Sequence, residues 1–184
     1  MLLALTLVCV PAALVGAQMP AAPVASAPKT LPRGPLSREM ASKLVPATVF
    51  FAGQVAPVQA RNTGGAKLPD GLVLAGLVDT SGYSTGVQER YQAYLLLDTP
   101  AQFGGKLLQP GAYGCGIVSG QFLVLDLSAK QLFSVPAQHD AALARPTPLQ
   151  VLPETAGGAY RLYLGRNYVS FGVWSAPAHA DTAR

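Results

Sequence analysis

The residues best placed to carry out covalent chemistry lie in the segment Gly82–Gly86, which reads GYSTG and matches the G-x-S-x-G pattern of a nucleophile elbow. In a serine hydrolase this pattern exposes a nucleophilic serine, which here is Ser84. An acid and then a histidine follow along the chain to activate that serine. Asp98 or Asp126, followed by His139, satisfies the order.

Other features of the sequence oppose this interpretation. The residues Asp79-Thr80-Ser81 separate the motif from the preceding strand-like run, and no clear helix follows it. With 19 glycines among 184 residues, a short glycine-bounded pattern also arises easily by chance. The sequence therefore favours a hairpin loop at this position. The alternative is a small serine hydrolase that uses Ser84, His139 and Asp98.

Two polar stretches have the composition of loops and are the candidate ligand-binding segments. They run from Arg61 to Asp70 and from Asp79 to Gly86. Loops carried on a rigid sheet commonly present binding groups, which makes Asn62, Asp79 and Tyr83 the candidate ligand-binding residues. If it is exposed, Tyr83 can stack on a sugar or a peptide. Its alternative role is to cover the core.

The sequence predicts neither a metal site nor a cofactor. His139 beside Asp140 is the only histidine–carboxylate pair in the predicted domain, and a single histidine does not build a zinc site. Asp140 is instead expected to cap a helical turn over Asp140 to Arg145 that Pro146 ends. No phosphate-binding glycine motif occurs at the start of a helix, so nucleotide cofactors have no support.

The charge distribution argues against nucleic acid as a partner. The chain carries a net charge of +4 with a pI of about 9.2, but its 13 Lys and Arg residues are dispersed singly. Nucleic-acid binding requires clustered basic residues, and only the segment from Arg161 to Tyr168 comes near that. A mildly basic exported protein instead suits an anionic polymer of the cell envelope, with a sugar or a protein as further partners.

The first residues resemble an export signal. Leu2 to Val15 are uncharged and mostly apolar, and Val15-Gly16-Ala17 is a small-residue pattern that a signal peptidase would cut. Pro11 and the short apolar length argue against a permanent membrane span. The sequence therefore predicts an exported protein of the periplasm, the cell envelope or the secreted fraction, with a signal peptide over residues 1–17.

Three further segments are predicted. Residues 18–36 are rich in Ala and Pro and are expected to form a flexible linker. Residues 37–175 are expected to form one β-rich domain, and residues 176–184 a disordered tail. Cleavage after Ala17 would remove Cys9 and leave Cys115 as a lone buried thiol.

The domain is predicted to be all-β, as a single antiparallel sandwich or barrel-like fold with one or two short helices. Ser37 is expected to cap a helix that continues to Leu44. The predicted strands are short and separated by turn residues, and they are Thr48 to Val55, Gly71 to Val78, Tyr91 to Leu97, Gln131 to Val135, Leu149 to Leu152, Ala159 to Leu164 and Tyr168 to Val173. Val87 to Leu97 can also be read as a helix.

The most explicit local prediction is a hairpin in the middle of the chain, centred on Ser119-Gly120. Counting outward, Cys115 lies opposite Val124 on one face. On the other face Gly116 lies opposite Leu123 and Gly114 lies opposite Leu125. Small residues opposite leucines make a shallow apolar surface that another element can approach closely.

The segment Phe103 to Gly114, which reads FGGKLLQPGAYG, resembles uncharacterised small exported bacterial β-proteins. These proteins carry a strand, then GGK, then a Pro-Gly or Ala-Gly turn and a tyrosine-bearing strand. The resemblance implies a β-rich exported domain and transfers no catalytic residue. The polar loops on a rigid sheet favour a non-enzymatic envelope or secreted binding or structural module as the function.

Overall fold

The computed structural model describes residues 31–155 and 158–174, and these form two antiparallel β-sheets with two short helices. The predicted signal peptide, most of the predicted linker and the predicted tail lie outside the described residues. Among the described residues, no helix is long and apolar enough to cross a membrane.

The first sheet has eight strands, which are numbered together with those of the second sheet in chain order. They are β1 (Gly34–Pro35), β2 (Thr48–Phe51), β3 (Gln54–Lys67), β4 (Leu72–Val78), β5 (Ala93–Leu97), β8 (Gly111–Val118), β9 (Gln121–Leu125) and β10 (Gln131–Pro136). Their order across the sheet is β1-β3-β4-β5-β8-β9-β10, and β2 pairs with the first part of β3.

The second sheet has six strands. They are β6 (Ala101–Phe103), β7 (Lys106–Leu108), β11 (Gln138–His139), β12 (Leu149–Pro153), β13 (Tyr160–Leu164) and β14 (Asn167–Val173). Their order is β12-β13-β14-β6-β7, and β11 pairs with β14. The prediction of an all-β sandwich is confirmed.

The main core lies between the two sheets and follows from the alternation of side chains along each strand. Alternate residues of β5 and β9 from the first sheet meet alternate residues of β13 and β14 from the second. These core residues include Ala93, Leu95, Leu97, Phe122, Val124, Leu162, Val169 and Phe171. Cys115 is buried in the same cluster and is a free thiol, as predicted.

The outer face of the first sheet is covered as well, which explains why β4 and β5 read as nearly continuous apolar runs. An aromatic cluster of Phe51, Tyr83 and Tyr91 packs on one part of that face. A smaller cluster under the first helix, α1 (Arg38–Leu44), covers another part. Strands buried on both faces do not need polar residues at alternate positions.

The helix predicted after Ser37 is confirmed. The Ser37 hydroxyl accepts a hydrogen bond from the Met40 amide at 3.2 Å, and Glu39 pairs with Lys43 at 2.7 Å. The second helix, α2 (Thr85–Arg90), resolves the ambiguous segment Val87 to Leu97. The polar first half of that segment is helical, and the apolar second half forms β5.

The central hairpin has the predicted register, with Cys115 opposite Val124, Gly116 opposite Leu123 and Gly114 opposite Leu125. Ser119 and Gly120 form the turn with φ of 49° and 74°, as a two-residue hairpin turn of the I′ type requires. The pairing ends at Leu125, because the Asp126 carboxylate accepts hydrogen bonds from Ser128 and Lys130 and starts a turn.

Two boundaries near the start of the domain differ from the prediction. The run Thr48 to Val55 is not one strand, because Ala52 and Gly53 adopt φ of 48° and 80° and reverse the chain between β2 and β3. The domain begins before residue 37, since β1 pairs with β3 and Leu36 is buried. The last residues of the predicted linker therefore belong to the fold.

The predicted loop from Arg61 to Asp70 is wrong for most of its length, because β3 continues to Lys67. Its glycines mark close packing. A Cβ atom at Gly64 would lie 3.1 Å from the Val151 amide nitrogen, and one at Gly65 would lie 2.6 Å from the Val73 carbonyl oxygen. Glycines in a sequence are typical of loops, but they also occur in strands at positions where another backbone approaches closely.

The helical turn predicted over Asp140 to Arg145 is also wrong. The segment forms a turn, in which the Asp140 carboxylate accepts hydrogen bonds from the Ala142 amide at 3.1 Å and from the Tyr163 hydroxyl at 2.8 Å. The side chain of Arg166 donates to three carbonyl oxygens of the same segment. Side-chain hydrogen bonds to β13 and to the turn between β13 and β14 thus take the place of helical ones.

Candidate functional site

Ser84 lies at the start of α2, so a helix does follow the G-x-S-x-G motif. Ser84 is exposed and occupies the N-cap position, but its hydroxyl makes no capping hydrogen bond. Its carbonyl oxygen accepts hydrogen bonds from the amides of Val87 and Gln88 at 2.9 Å. Ser84 therefore contributes to the helix through its backbone.

The two residues expected to activate Ser84 are engaged elsewhere. His139 lies on β11, where its Nδ1 is 2.9 Å from the Asn167 Oδ1. Asp98 lies directly after β5, where its carboxylate accepts a hydrogen bond from the Leu72 amide. The described contacts do not bring Asp98 or His139 to Ser84, so the geometry of a catalytic triad is not formed.

We expect a fluorophosphonate probe to leave Ser84 unlabelled, because no hydrogen-bonded base raises the reactivity of its hydroxyl. The measurement is intact-mass analysis of the protein after incubation with the probe. The Ser84→Ala variant is the control for any background reaction. Labelling that Ser84→Ala abolishes would contradict this prediction and restore the hydrolase hypothesis.

Of the residues predicted to bind a ligand, Tyr83 is in the core and is 6% exposed. Its hydroxyl donates to the carbonyl oxygens of Phe51 at 3.0 Å and Gln54 at 3.3 Å. Burial raises the pKa of Tyr83. Stacking on a sugar is therefore wrong for Tyr83, and the alternative role of covering the core is the one observed.

Asp79 is exposed and closes the turn that follows β4. Its Oδ1 accepts a hydrogen bond from the Ser81 amide at 3.1 Å, and this interaction lowers the pKa of the carboxyl group. The arrangement is an Asx-turn, which needs no ligand.

Asn62 is the one predicted residue that lines a substantial cleft, and a large bulge in β3 puts it there. Val58 pairs with Val78 and Thr63 pairs with Gly76, so the four residues 59–62 of β3 lie opposite Leu77 alone. The extra residues cannot join the hydrogen-bonded ladder and are displaced from it. Bulges of this kind commonly redirect side chains at functional sites.

The bulge is closed by its own hydrogen bonds. The Asn62 Nδ2 donates to the Gln59 Oε1 at 2.7 Å, and the Thr63 hydroxyl donates to the Ala60 carbonyl oxygen at 3.1 Å. Thr63 is buried at 3% exposure, which anchors one end of the bulge in the fold. The amide side chains of Gln59 and Asn62 are thereby held in a defined relative position.

A cleft with a volume of about 560 Å³ lies beside this bulge, and we name it the bulge cleft. Three parts of the chain line it, namely the first residue of α1, the bulge itself and the connection before β12. The lining residues are Arg38, Gln59, Ala60, Arg61, Asn62, Thr147 and Pro148.

The described part of the lining of the bulge cleft is basic and includes no carboxylate. Arg38 and Arg61 are both exposed, and neither forms an ion pair with any residue in the described part of the chain. Guanidinium groups bind carboxylates and phosphates through paired hydrogen bonds. Two guanidinium groups in one cleft are able to bind an anion.

Sequence reasoning named Asn62 and placed Arg61 in a candidate binding segment, but it missed Arg38 and Gln59. Arg38 is distant from Arg61 in sequence, and the two meet in one cleft only because α1 packs beside β3. The available signal was the cluster of polar residues Gln59, Arg61 and Asn62, which lies between the predicted strands Thr48 to Val55 and Gly71 to Val78.

Among the described residues, no group of three His, Cys, Asp or Glu side chains is arranged to hold a metal ion. No protein-family model matches this chain, and no curated protein or solved structure matches it.

Proposed function

We propose that this protein is an exported, non-enzymatic binding module of the cell envelope or the secreted fraction, and that its bulge cleft binds the anionic groups of an envelope polymer. The observation that carries the proposal is the lining of the cleft. Two arginines and two amides converge on about 560 Å³ with no carboxylate among them.

The charges of the cleft favour an acidic ligand. Each guanidinium supplies several donors in a planar fork, which matches a carboxylate or a phosphate. Gln59 and Asn62 use one hydrogen bond to each other, at 2.7 Å, so the remaining amide groups are free to contact a sugar hydroxyl or a second acidic oxygen. The net charge of +4 attracts a polyanion at long range.

Export is supported by the apolar segment Leu2 to Val15 and by the small residues that end it. An exported protein meets acidic polysaccharides and phosphate-containing polymers at the cell surface, and repeated acidic groups compensate for weak individual contacts. A binding role needs only a rigid scaffold that holds a few polar side chains in place, and the sandwich provides one.

The test is the double substitution Arg38→Gln and Arg61→Gln. Because both side chains are exposed and partly screened by water, we expect their joint loss to weaken binding of polygalacturonate or polyphosphate by about ten-fold. Isothermal titration calorimetry at low and at high salt measures the change, and added salt is expected to weaken the binding of the unaltered protein.

The matched control is Lys106→Gln with Lys130→Gln, which removes the same charge from exposed positions on other elements. This control is expected to keep most of the affinity. Equal losses in the two double variants would mean that only the overall charge matters, and the bulge cleft would then not be the binding site. No binding of either polymer by the unaltered protein would reject the proposed function.

A further inference from the structure

Strand β2 (Thr48–Phe51) is an edge strand, because among the described strands it pairs with β3 alone. The Val58 amide donates to the Ala47 carbonyl oxygen at 2.8 Å, which fixes the residues of this segment that bond to β3. In an antiparallel pair, alternate residues direct their peptide groups toward the same neighbour. The peptide groups of Thr48 and Phe50 therefore point away from β3.

The outward edge of β2 has unpaired backbone groups. Among the described residues, no hydrogen bond engages the amide or carbonyl groups of Thr48 and Phe50 on this edge. Both residues are exposed, and the segment from 44 to 60 that carries the hairpin is described throughout. A row of unpaired amide and carbonyl groups is a template for another strand.

The same hairpin presents apolar side chains to solvent. Phe50 lies directly opposite Val55, and these are the most exposed large apolar side chains in the described part of the chain, at 53% and 68%. Thr48 and Pro57, the next pair on this face of the hairpin, are exposed as well. An apolar strip therefore runs beside the unpaired edge.

The other outer strands of the two sheets have features that prevent pairing with a further strand. Proline lacks an amide hydrogen, and lysine on an edge opposes close approach of another strand. These features are Pro35 in β1, Lys106 in β7, Pro136 in β10 and Pro153 in β12. Strand β2 reads TVFF and contains neither residue type, so its edge is the one best suited to a partner strand.

The charge distribution favours a second copy of this chain as the partner. The protein carries a net charge of +4, but no charged residue occurs between Lys43 and Arg61. Two copies can therefore meet at β2 without bringing like charges together. An acidic partner would find no cation to pair with on this strand.

We propose that β2 pairs antiparallel with β2 of a second copy, about a two-fold axis at Val49. In this register Thr48 exchanges hydrogen bonds with Phe50 of the second copy, and the reverse pair follows from the symmetry. The two Phe50 rings become diagonal neighbours on the exposed face, where aromatic side chains can reach each other. The two hairpins then form one continuous sheet.

The dimer is expected to be weak, because β2 has only 4 residues and the contact is small. The inference does not depend on the proposed function. Self-association is measured without any polymer, and no residue of β2 lines the bulge cleft. Failure of one proposal therefore leaves the other standing.

The test combines sedimentation equilibrium with amide hydrogen exchange on the unaltered protein. The weight-average mass is expected to rise toward twice that of one chain as the concentration approaches the millimolar range. The amide hydrogens of Thr48 and Phe50 are expected to exchange several-fold more slowly at high than at low concentration, because the dimer gives them acceptors. Val49 already faces β3, so its exchange is expected to change less.

Phe50→Lys is expected to weaken dimerisation by about ten-fold, because it removes the apolar contact and brings two ammonium groups together across the axis. Leu132→Lys is the matched control. It adds the same charge in place of another exposed apolar side chain, at 46% exposure on β10, and is expected to leave dimerisation unchanged.

The proposal is overturned if the mass remains that of one chain at millimolar concentration, or if Leu132→Lys weakens the dimer as much as Phe50→Lys does. A dimer that forms without slower exchange at Thr48 and Phe50 would use another surface and would also overturn it. Binding of the monomer to phosphatidylcholine vesicles through Phe50, with no dimer in solution, would assign the strip to a membrane instead. Exchange is measured on unaltered protein, so a variant that fails to fold does not remove the test.

Discussion

Gly116→Val is expected to lower the free energy of unfolding by about 3 kcal/mol, because the added side chain has no space on the outer face of β8. A Cβ atom at Gly116 would overlap the Arg90 carbonyl oxygen at the end of α2 and would lie 3.2 Å from the Gln92 Cδ atom. A backbone atom cannot rotate aside as a flexible side chain can. Thermal unfolding should show a midpoint lower by roughly 10 °C.

Gly86→Val is the matched control for Gly116→Val, because a Cβ atom at Gly86 meets nothing within 4 Å. Gly86 lies in α2, where valine has a slightly better helix propensity than glycine. Its effect is expected to stay within about 0.5 kcal/mol. If Gly116→Val melts at the same temperature as the unaltered protein, then α2 does not pack on the hairpin as described.

Tyr91→Phe is expected to raise the free energy of unfolding by about 1 kcal/mol, which is unusual for a substitution in a core. Tyr91 is fully buried, and its ring stacks on Phe51 with the ring centres 3.7 Å apart. Its hydroxyl has no hydrogen-bond partner among the described residues. Phenylalanine keeps the ring stacking. It removes a hydroxyl that gives up its hydrogen bonds to water on folding and gains none in the protein.

Tyr83→Phe in the same aromatic cluster is the contrasting variant and is expected to lower stability by about 1 kcal/mol. The Tyr83 hydroxyl donates to the carbonyl oxygens of Phe51 and Gln54, at 3.0 and 3.3 Å, and these would lose a donor. Urea unfolding followed by fluorescence gives both values. A loss of stability in Tyr91→Phe as large as that in Tyr83→Phe would show that the Tyr91 hydroxyl does have a partner.

Local patterns predicted the parts of the fold that depend on neighbouring residues in the chain. The Ser119-Gly120 turn sets the register of the central hairpin, because a two-residue loop leaves a single way to pair the strands. The helix after Ser37 follows from its cap and from the Glu39–Lys43 pair. Both features need only contacts between residues that are close in sequence.

The wrong predictions share one cause. Each concerns a residue type that is compatible with two local structures, and contacts with residues distant in sequence decide which of the two forms. Gly64 and Gly65 are compatible with a loop, but they lie in β3 because other strands approach there. Asp140 can cap a helix, but the Tyr163 hydroxyl binds its carboxylate instead. Tyr83 can be exposed on a loop, but it is buried against Phe51.

The sequence by itself determined the all-β class, the central hairpin, the first helix and the burial of Cys115, because periodicity, turn residues and caps act over short distances. Only the tertiary structure decided where functional groups meet. Arg38 reaches the bulge of β3 through the packing of α1. Side chains from different elements come together because of the strand order and a register shift in the sheet. Neither property can be read from the spacing of those residues along the chain.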